Sequence, residues 1–445
     1  MTAGLRETTW SARARRRLEP HGQQDDNGPR QRRGTMTTTA TSGAGLDPVQ
    51  ETDRLHRAWS HRSANLGDPV ADLLGHLHDK VPYYRGGRGG RLPGLPVVDR
   101  ALYRARGDEF RAAGATPAYT ITSSGSTGEP LEVGLDEAAW YAVNYHFFHQ
   151  IVELADVPME TFHAGSVAVA FVSNKPSRRA VVRPLPELRH GLYARVQLAA
   201  PAADLAALFD RLRPAILYGK PTYLLDLRLA LLQAGVTCPT WAPRLLLTSG
   251  EPLHSDDRAR LTGYFGAPLV DALASTEGGL IAATRPDEPE YEVFGDNVRL
   301  EVRTGEGSVA AAGEGELLVT NLIYRDMVFA RYRTGDRAVL DPGRADGIQR
   351  LARLWGREPQ EVRFRTGPIL AETLTRRLGF LPGLADFQVR MEPVGAVLRW
   401  MPDGIGADPE PALREVMAEL LPREDVRYER CARITPLGGK KRRFG

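Results

Sequence analysis

The chain has 445 residues, of which 42% are hydrophobic and 25% charged, the proportions of a globular protein long enough for one large domain and a smaller one. Its formal charge is +3, but residues 1–35 hold eight arginines (Arg6, Arg13, Arg15, Arg16, Arg17, Arg30, Arg32, Arg33) against Glu7, Glu19, Asp25 and Asp26, so the remainder stands at −1; a body that close to neutral excludes a nucleic-acid groove as its main function. Cys238 and Cys431 make neither a metal-ligand spacing nor a disulfide framework, and the longest purely apolar stretch, 167–172, is far too short to span a bilayer, so the expectation is a cytoplasmic protein.

Residues 1–45 read as a disordered Arg-rich and then Thr-rich head. It has no apolar segment of the secretory type, and Met36, followed by Thr37-Thr38-Thr39-Ala40-Thr41-Ser42-Gly43, looks like a second start. From Leu46 the chain becomes organised. The spacing of apolar residues predicts helices over 50–62 and 69–79, the second closed by Val81-Pro82-Tyr83-Tyr84. A β-branched run, Thr120-Ile121-Thr122, then reads as the end of a strand and delivers the backbone into Ser123-Ser124-Gly125-Ser126-Thr127-Gly128-Glu129-Pro130. Glycines that accept φ > 0, interleaved with hydroxyl donors, suit an anion because successive N–H groups converge on it; the alternative is a polar hairpin turn. Asp136 is placed to cap a helix rich in rings, including Trp140, Tyr141, Tyr145, Phe147 and Phe148, which either line a pocket or fill core.

Between 165 and 275 short apolar runs alternate with helical patterns. Strands are predicted at 167–172, 215–218, 245–248 and 268–271, with helices at 203–212, 222–234 and from a Ser255 cap to Phe265. This is βαβ alternation, hence a largely parallel sheet, in which ligands collect beyond the carboxyl ends of the strands. Three of those ends run into polar or Gly-rich segments: Tyr218-Gly219-Lys220-Pro221-Thr222, Ser249-Gly250-Glu251-Pro252 and Ala274-Ser275-Thr276-Glu277-Gly278-Gly279. From about 291, β-runs separated by Gly/Asp turns suggest an antiparallel annex. The C-terminal stretch reads helix (369–379), strand (385–392), strand (395–401), helix (410–420), strand (425–434), a small α+β unit ending in Gly438-Gly439-Lys440-Lys441-Arg442-Arg443.

In this order the motifs resemble the acyl-adenylate-forming superfamily, most closely its short phenylacetate–CoA ligase-like branch, over residues 50 to 445. Thr122 to Pro130 is similar to the family's phosphate loop, Ala274 to Glu277 to the end of its Tyr-Gly-x-Thr-Glu motif, Tyr332 to Asp336 to its Tyr-Arg-Thr-Gly-Asp motif, Gly356-Arg357 to the start of its hinge and Gly439-Lys440 to its C-terminal Gly-Lys. The resemblance implies an α/β fold with a large N-terminal domain (46–355) of mainly parallel sheets and a β-rich annex, plus a small mobile α+β domain (356–445). It implies ATP and Mg²⁺, with CoA a candidate co-substrate, and AMP-forming activation of a carboxylic acid with transfer to CoA, a carrier thiol or an amine. Ser124, Gly125, Ser126, Thr127 and Gly128 would hold the β/γ-phosphates, Thr276 would contact the α-phosphate and Glu277 would bind the metal. Ser249, Gly250, Glu251, Pro252, Ala274 and Ser275 would lie along the nucleotide, Asp336 and Arg357 at the ribose, and Lys440 would stabilise the charge that develops in the transition state. A monomer or homodimer is expected, with neither nucleic acid nor membrane as partner.

For the acid, Tyr141, Tyr145, Phe148, Phe171, Tyr218 and Lys220 are the candidate lining, which favours an aromatic acid, with Lys220 facing either a polar or anionic substituent or the reacting carboxylate, or capping a strand at the surface. Three departures from the family pattern stand out. Glu129 occupies a position where many relatives carry Lys, Leu273-Ala274 replaces the usual Tyr-Gly, and the hinge falls either on Pro359, whose φ is held near −65°, or on Gln360 or Glu361. Two further functions remain open on the sequence: ATP-dependent activation of nitrite with an aryl amine as acceptor, and a ligand-binding protein that kept the fold and lost turnover.

Overall fold

The computed structural model describes residues 50–55, 68–85, 91–123, 131–174, 181–286, 288–343, 347–357, 361–393, 395–404, 406–434 and 444. The Arg-rich head, the Ser/Gly loop 124–130, Pro359 and Lys440 lie outside the described residues. Local chemistry sets the first elements. Helix α1 (Pro69–Lys80) begins where the Asp68 carboxylate accepts the Val70 N–H at 3.0 Å, and α2 (Arg100–Arg106) where Asp99 accepts from Leu102 at 2.9 Å, satisfying N–H groups that have no partner within a first turn. Strands β1 (Tyr119–Thr122) and β2 (Glu132–Leu135) pair antiparallel, with Thr122 opposite Glu132. Helix α3 (Glu137–Leu154) starts at the expected cap, Asp136, which accepts the Ala139 N–H at 2.6 Å.

The sheet follows, built from β3 (Val167–Ser173), β4 (Val181–Leu185), β5 (Gly191–Gln197), β6 (Ile216–Gly219), β7 (Leu245–Ser249) and β8 (Leu269–Ser275). It continues through β9 (Gly279–Thr284), β10 (Tyr291–Val293), β11 (Val298–Arg303), β12 (Val309–Ala310), β13 (Gly313–Asn321), β14 (Tyr332–Asp341) and β15 (Arg350–Gly356). In space the order is β12-β11-β13-β14-β15-β10-β9-β8-β7-β6-β3-β5-β4. Strands β5, β3, β6, β7 and β8 are parallel neighbours, connected by α4 (Ala202–Leu212), α5 (Pro221–Gln233) and α6 (Ser255–Phe265). Leu245, Leu246 and Leu247 have no exposed surface, because both faces of this sheet are covered. Ala170, Val172, Leu217 and Leu246 pack among Phe209, Leu224 and Leu261 of the crossover helices on one side; Val169, Ile216, Leu245, Leu247 and Val270 pack among Phe148, Ile151 and Val152 of α3 on the other. Each such large aliphatic side chain, fully buried, contributes about 1.5–3 kcal/mol.

Several sequence expectations need correction. Strand β8 runs to Ser275 rather than ending at Asp271, turns within three residues and pairs back with β9, so the expected antiparallel annex continues the same sheet. The β4–β5 hairpin at this end of the sheet had no counterpart in the sequence reading, since Arg183 and Pro184 interrupt the apolar run of the edge strand β4 and Arg195 that of β5. The residue capping α6 is His254, not Ser255, and its side chain makes no cap bond.

Beyond β15 come β16 (Glu361–Phe364), β17 (Gly367–Leu370), α7 (Ala371–Leu378), β18 (Leu384–Glu392), β19 (Gly395–Pro402), α8 (Glu410–Leu420) and β20 (Val426–Arg430). Strand β19 pairs antiparallel with β18 and parallel with β20, around a core that includes Leu374, Phe387, Leu398, Trp400, Leu413 and Met417. This unit meets the body at α6, where Arg260 donates from Nη1 to the Ala385 carbonyl at 2.7 Å and from Nη2 to that of Gly379. Leu229 of α5 packs beside it against Ala385, Met401 and Ile434.

Candidate active site

Strand register decides which loops become neighbours. Gly219 of β6 lies opposite Thr248 of β7, and Ser249 opposite Ala272 of β8, so the segments after β6, β7 and β8 leave one edge of the sheet side by side. The turn after β8 is rigid: Ser275 Oγ accepts the Gly278 N–H at 2.8 Å, the Tyr324 hydroxyl donates to the Thr276 carbonyl at 3.1 Å and Asn321 Nδ2 to the Glu277 carbonyl at 3.2 Å. Gly278 has no room for a side chain, since a Cβ would stand 2.8 Å from Ile281 Cδ1. The turn therefore presents Glu277, which is 6% exposed, with one carboxylate oxygen accepting the Tyr332 hydroxyl at 3.0 Å. Burial first, and then the Glu277 charge, push the Tyr332 phenol well up, so it stays a neutral donor.

Two guanidinium groups flank Tyr332, and both oppose that rise. Arg357 at the end of β15 lies 3.4 Å from Asp336 Oδ1 and donates to the Thr334 carbonyl. Gly335 between them stands at φ +80°, a backbone conformation that L side chains rarely adopt, and that conformation rather than lack of space calls for glycine. Burial raises the Asp336 carboxyl above its usual range, and Arg357 opposes the rise. The second cation is Arg100, which the sequence reading missed. Val98 pairs with Tyr332 through reciprocal backbone bonds, its N–H reaching the Arg331 carbonyl at 3.2 Å and its carbonyl accepting from Arg333 at 2.9 Å. That clamp sets the start of α2 beside β14, and Arg100 donates to Ser123 Oγ. Ser123 in turn closes the base of the Ser/Gly loop, with its Oγ and its N–H each bonded to Leu131 at 2.9 Å. No motif marks Arg100 in the sequence; its only local signal is the Asp99 cap one residue before it.

A second cluster lies at the ends of β6 and β7. Lys220, read as facing a substrate or as capping the strand, makes an ion pair with Glu251 at 2.7 Å, while Thr222 donates to the other Glu251 oxygen at 2.7 Å. Glu251, expected along the adenine, therefore cross-links two loops. The physical reason is proximity: parallel β6 and β7 end at one level, so the residues just past them meet. Burial pushes the Tyr218 phenol up to about 12, with Ser249 beside it opposing the rise. Its ring lies 4.9 Å from Phe171 and 5.6 Å from Phe147 of α3. Tyr141 interacts with Tyr119, and burial lifts its phenol to about 12. Tyr145 and Phe148, read as either lining a pocket or filling core, stand in core. Both are buried, Tyr145 stacked on His149 at 4.9 Å and Phe148 within the α3–sheet core, because they fall on the helix face turned toward the body, whereas Phe147 faces Tyr218.

Among the described residues no cluster of three His, Cys, Asp or Glu side chains is arranged to hold a metal, and no helix is long and apolar enough to cross a membrane. A single carboxylate nevertheless suits Mg²⁺ bound together with phosphates, since that ion keeps several waters and takes one or two protein carboxylates. Glu277 is the residue that fits.

No family model matches the chain, and no curated protein matches it. Solved structures do. A 2-hydroxyisobutyryl-CoA ligase in its postadenylation state with R3-HIB-AMP superposes with a TM-score of 0.63 at 16% identity, covering 89% of this chain and 88% of that one. The same ligase with 2-HIB-AMP gives 0.61 at 17% over the same shares. An anthranilate CoA ligase in complex with anthranoyl-AMP gives 0.50 at 16%, over 74% of this chain and 66% of that one. At these identities the likeness is one of architecture: the chain has the α/β fold of these CoA ligases.

Proposed function

We propose that this protein is an AMP-forming acid–thiol ligase of the phenylacetate–CoA ligase-like type, which activates a carboxylic acid as its acyl-adenylate and passes the acyl group to CoA, a carrier thiol or an amine. The observation that carries the reading is the buried Glu277 carboxylate, oriented by the Tyr332 hydroxyl at 3.0 Å and set in a turn held at the Thr276 and Glu277 carbonyls. A carboxylate attacks the α-phosphorus of ATP only if charge is neutralised on the phosphates and on the departing pyrophosphate. Glu277 would hold Mg²⁺ against the nucleotide phosphates, and the metal supplies that neutralisation when bound. Arg100, tied to Ser123 at the base of the phosphate loop, supplies positive charge there. Asp336 and Arg357 sit as a pair suited to the ribose. The segment 356–445 acts as the small domain, and its Lys440 brings a cation to the reacting oxygens.

The test is pyrophosphate release from Mg²⁺·ATP across aromatic and aliphatic acids, with nitrite plus aryl amines as a separate arm. Release with an acid is expected, and Lys440→Ala is expected to lower kcat by about 10²–10³-fold. Release only with nitrite and an amine would replace the acid by that oxyanion. ATP binding without any release would identify a binding protein and overturn the reading.

A further inference from the structure

Arg195 differs from Lys220 and Arg357, the two acid-paired cations of the site. Lys220 is neutralised by Glu251, and Arg357 by Asp336. Arg195, on β5, is registered opposite Phe171 of β3, and Phe171 opposite Tyr218 of β6, so the three side chains form a row on one face of the sheet. Its guanidinium carbon lies 5.8 Å from the Phe171 ring centroid, and Nη2 donates to Ser173 Oγ at 3.3 Å. Among the described residues no carboxylate pairs with it, and its Nε is buried without a hydrogen-bond acceptor. A guanidinium half-sunk against aromatic rings has lost part of its water, and its planar fork matches a carboxylate with two parallel N–H bonds.

We infer that Arg195 receives a second anionic group, a carboxylate, on the acid that this site activates, so that the substrate is an elongated aromatic diacid rather than a simple aryl acid. The row Arg195–Phe171–Tyr218 supplies one cation and two rings, and Phe147 of α3 adds a ring over Tyr218. Length follows from the sheet. Four inter-strand steps of about 4.8 Å separate the β5 and β8 backbones by about 19 Å, a span that the Arg195 side chain and the phosphates at the Glu277 turn shorten from either end to that of a single-ring diacid, so the second anion belongs at the far end of the acid from the reacting carboxylate. This inference rests on the adenylating reading of the Glu277 edge for its reaction, but not for the binding preference itself.

The experiment pairs phenylacetate with 1,4-phenylenediacetate and cinnamate with 4-carboxycinnamate, measuring pyrophosphate release with Mg²⁺·ATP and, separately, binding by titration calorimetry. Wild-type protein is expected to prefer each diacid by about tenfold or more, in KM and Kd rather than kcat. Arg195→Gln is expected to erase that preference, weakening the diacids by about 10–100-fold, the size of one lost charge-assisted hydrogen bond, while monoacids stay within about threefold; Arg195→Lys should recover part of it. Melting curves of both variants check that they fold. Arg195-dependent binding of a diacid without pyrophosphate release sinks the ligase reading and supports this one. Release with monoacids only, or equal losses for both acids of a pair in Arg195→Gln, overturns the inference and leaves the ligase reading standing.

Discussion

Replacing Tyr332 by Phe removes one oxygen atom from the candidate site and nothing else. Tyr332 is 4% exposed and Glu277 6%, so the hydroxyl and the carboxylate it serves are both shielded from bulk water. Loss of a hydrogen bond to a charged acceptor of this kind costs about 1.5–3 kcal/mol, because the carboxylate keeps its desolvation penalty and loses its donor. If Glu277 holds the metal–nucleotide complex, that cost falls on orientation: kcat/KM for Mg²⁺·ATP should drop by about 10–100-fold, with the Mg²⁺ requirement shifted upward. The phenol is pushed up by burial and by Glu277, so it remains protonated and the deficit should be constant between about pH 6 and 9. Glu277→Gln separates charge from geometry, since its amide oxygen still accepts the Tyr332 hydroxyl while the negative charge is gone. It should stay folded and lose more activity than Tyr332→Phe, and in both variants EDTA should abolish what activity remains. The assay is pyrophosphate release titrated with Mg²⁺ at fixed ATP, beside thermal melting. A Tyr332→Phe protein that melts lower yet keeps the wild-type Mg²⁺ and ATP dependence would refute the reasoning and make the pair a structural strut.

Arg100→Gln should raise the KM for ATP by about tenfold while leaving the KM of the acid unchanged, because the lost cation sits at the base of the phosphate loop and not among the rings; equal effects on both substrates would contradict its placement. Asp271 is buried in β8, accepting from Thr248 at 2.5 Å and from the Tyr291 hydroxyl, and burial raises its carboxyl above the usual range. A raised acid is more easily protonated in the folded than in the unfolded chain, so its contribution to stability is full below about pH 3.8 and is lost as pH rises through the folded value. The stability difference between wild type and Asp271→Asn should therefore grow in favour of wild type as pH is lowered from 7, as read by urea unfolding at several pH values. A difference that stays flat or shrinks would contradict it.

Much of the local structure was legible in the sequence because it depends on near neighbours. Asp136 caps a helix by bonding three residues on, β-branched and apolar runs extend into strands, and βαβ alternation implies parallel pairing with ligand loops at the carboxyl ends. The residues of the Glu277 turn and the Tyr332–Asp336 stretch carry their chemistry in their identity and order. What the sequence could not reveal is which loops lie side by side, because that follows from strand order and register across the whole sheet. Only the tertiary structure pairs Lys220 with Glu251 across 31 residues, turns the expected annex into a continuation of one sheet, and sinks Tyr145 and Phe148 into core while Phe147 faces Tyr218. It alone brings Arg100 to Ser123 and Arg195 to Phe171. Helical and strand periods specify the face on which a side chain stands; the partner it meets there is supplied by a distant part of the chain, and no local pattern encodes that choice.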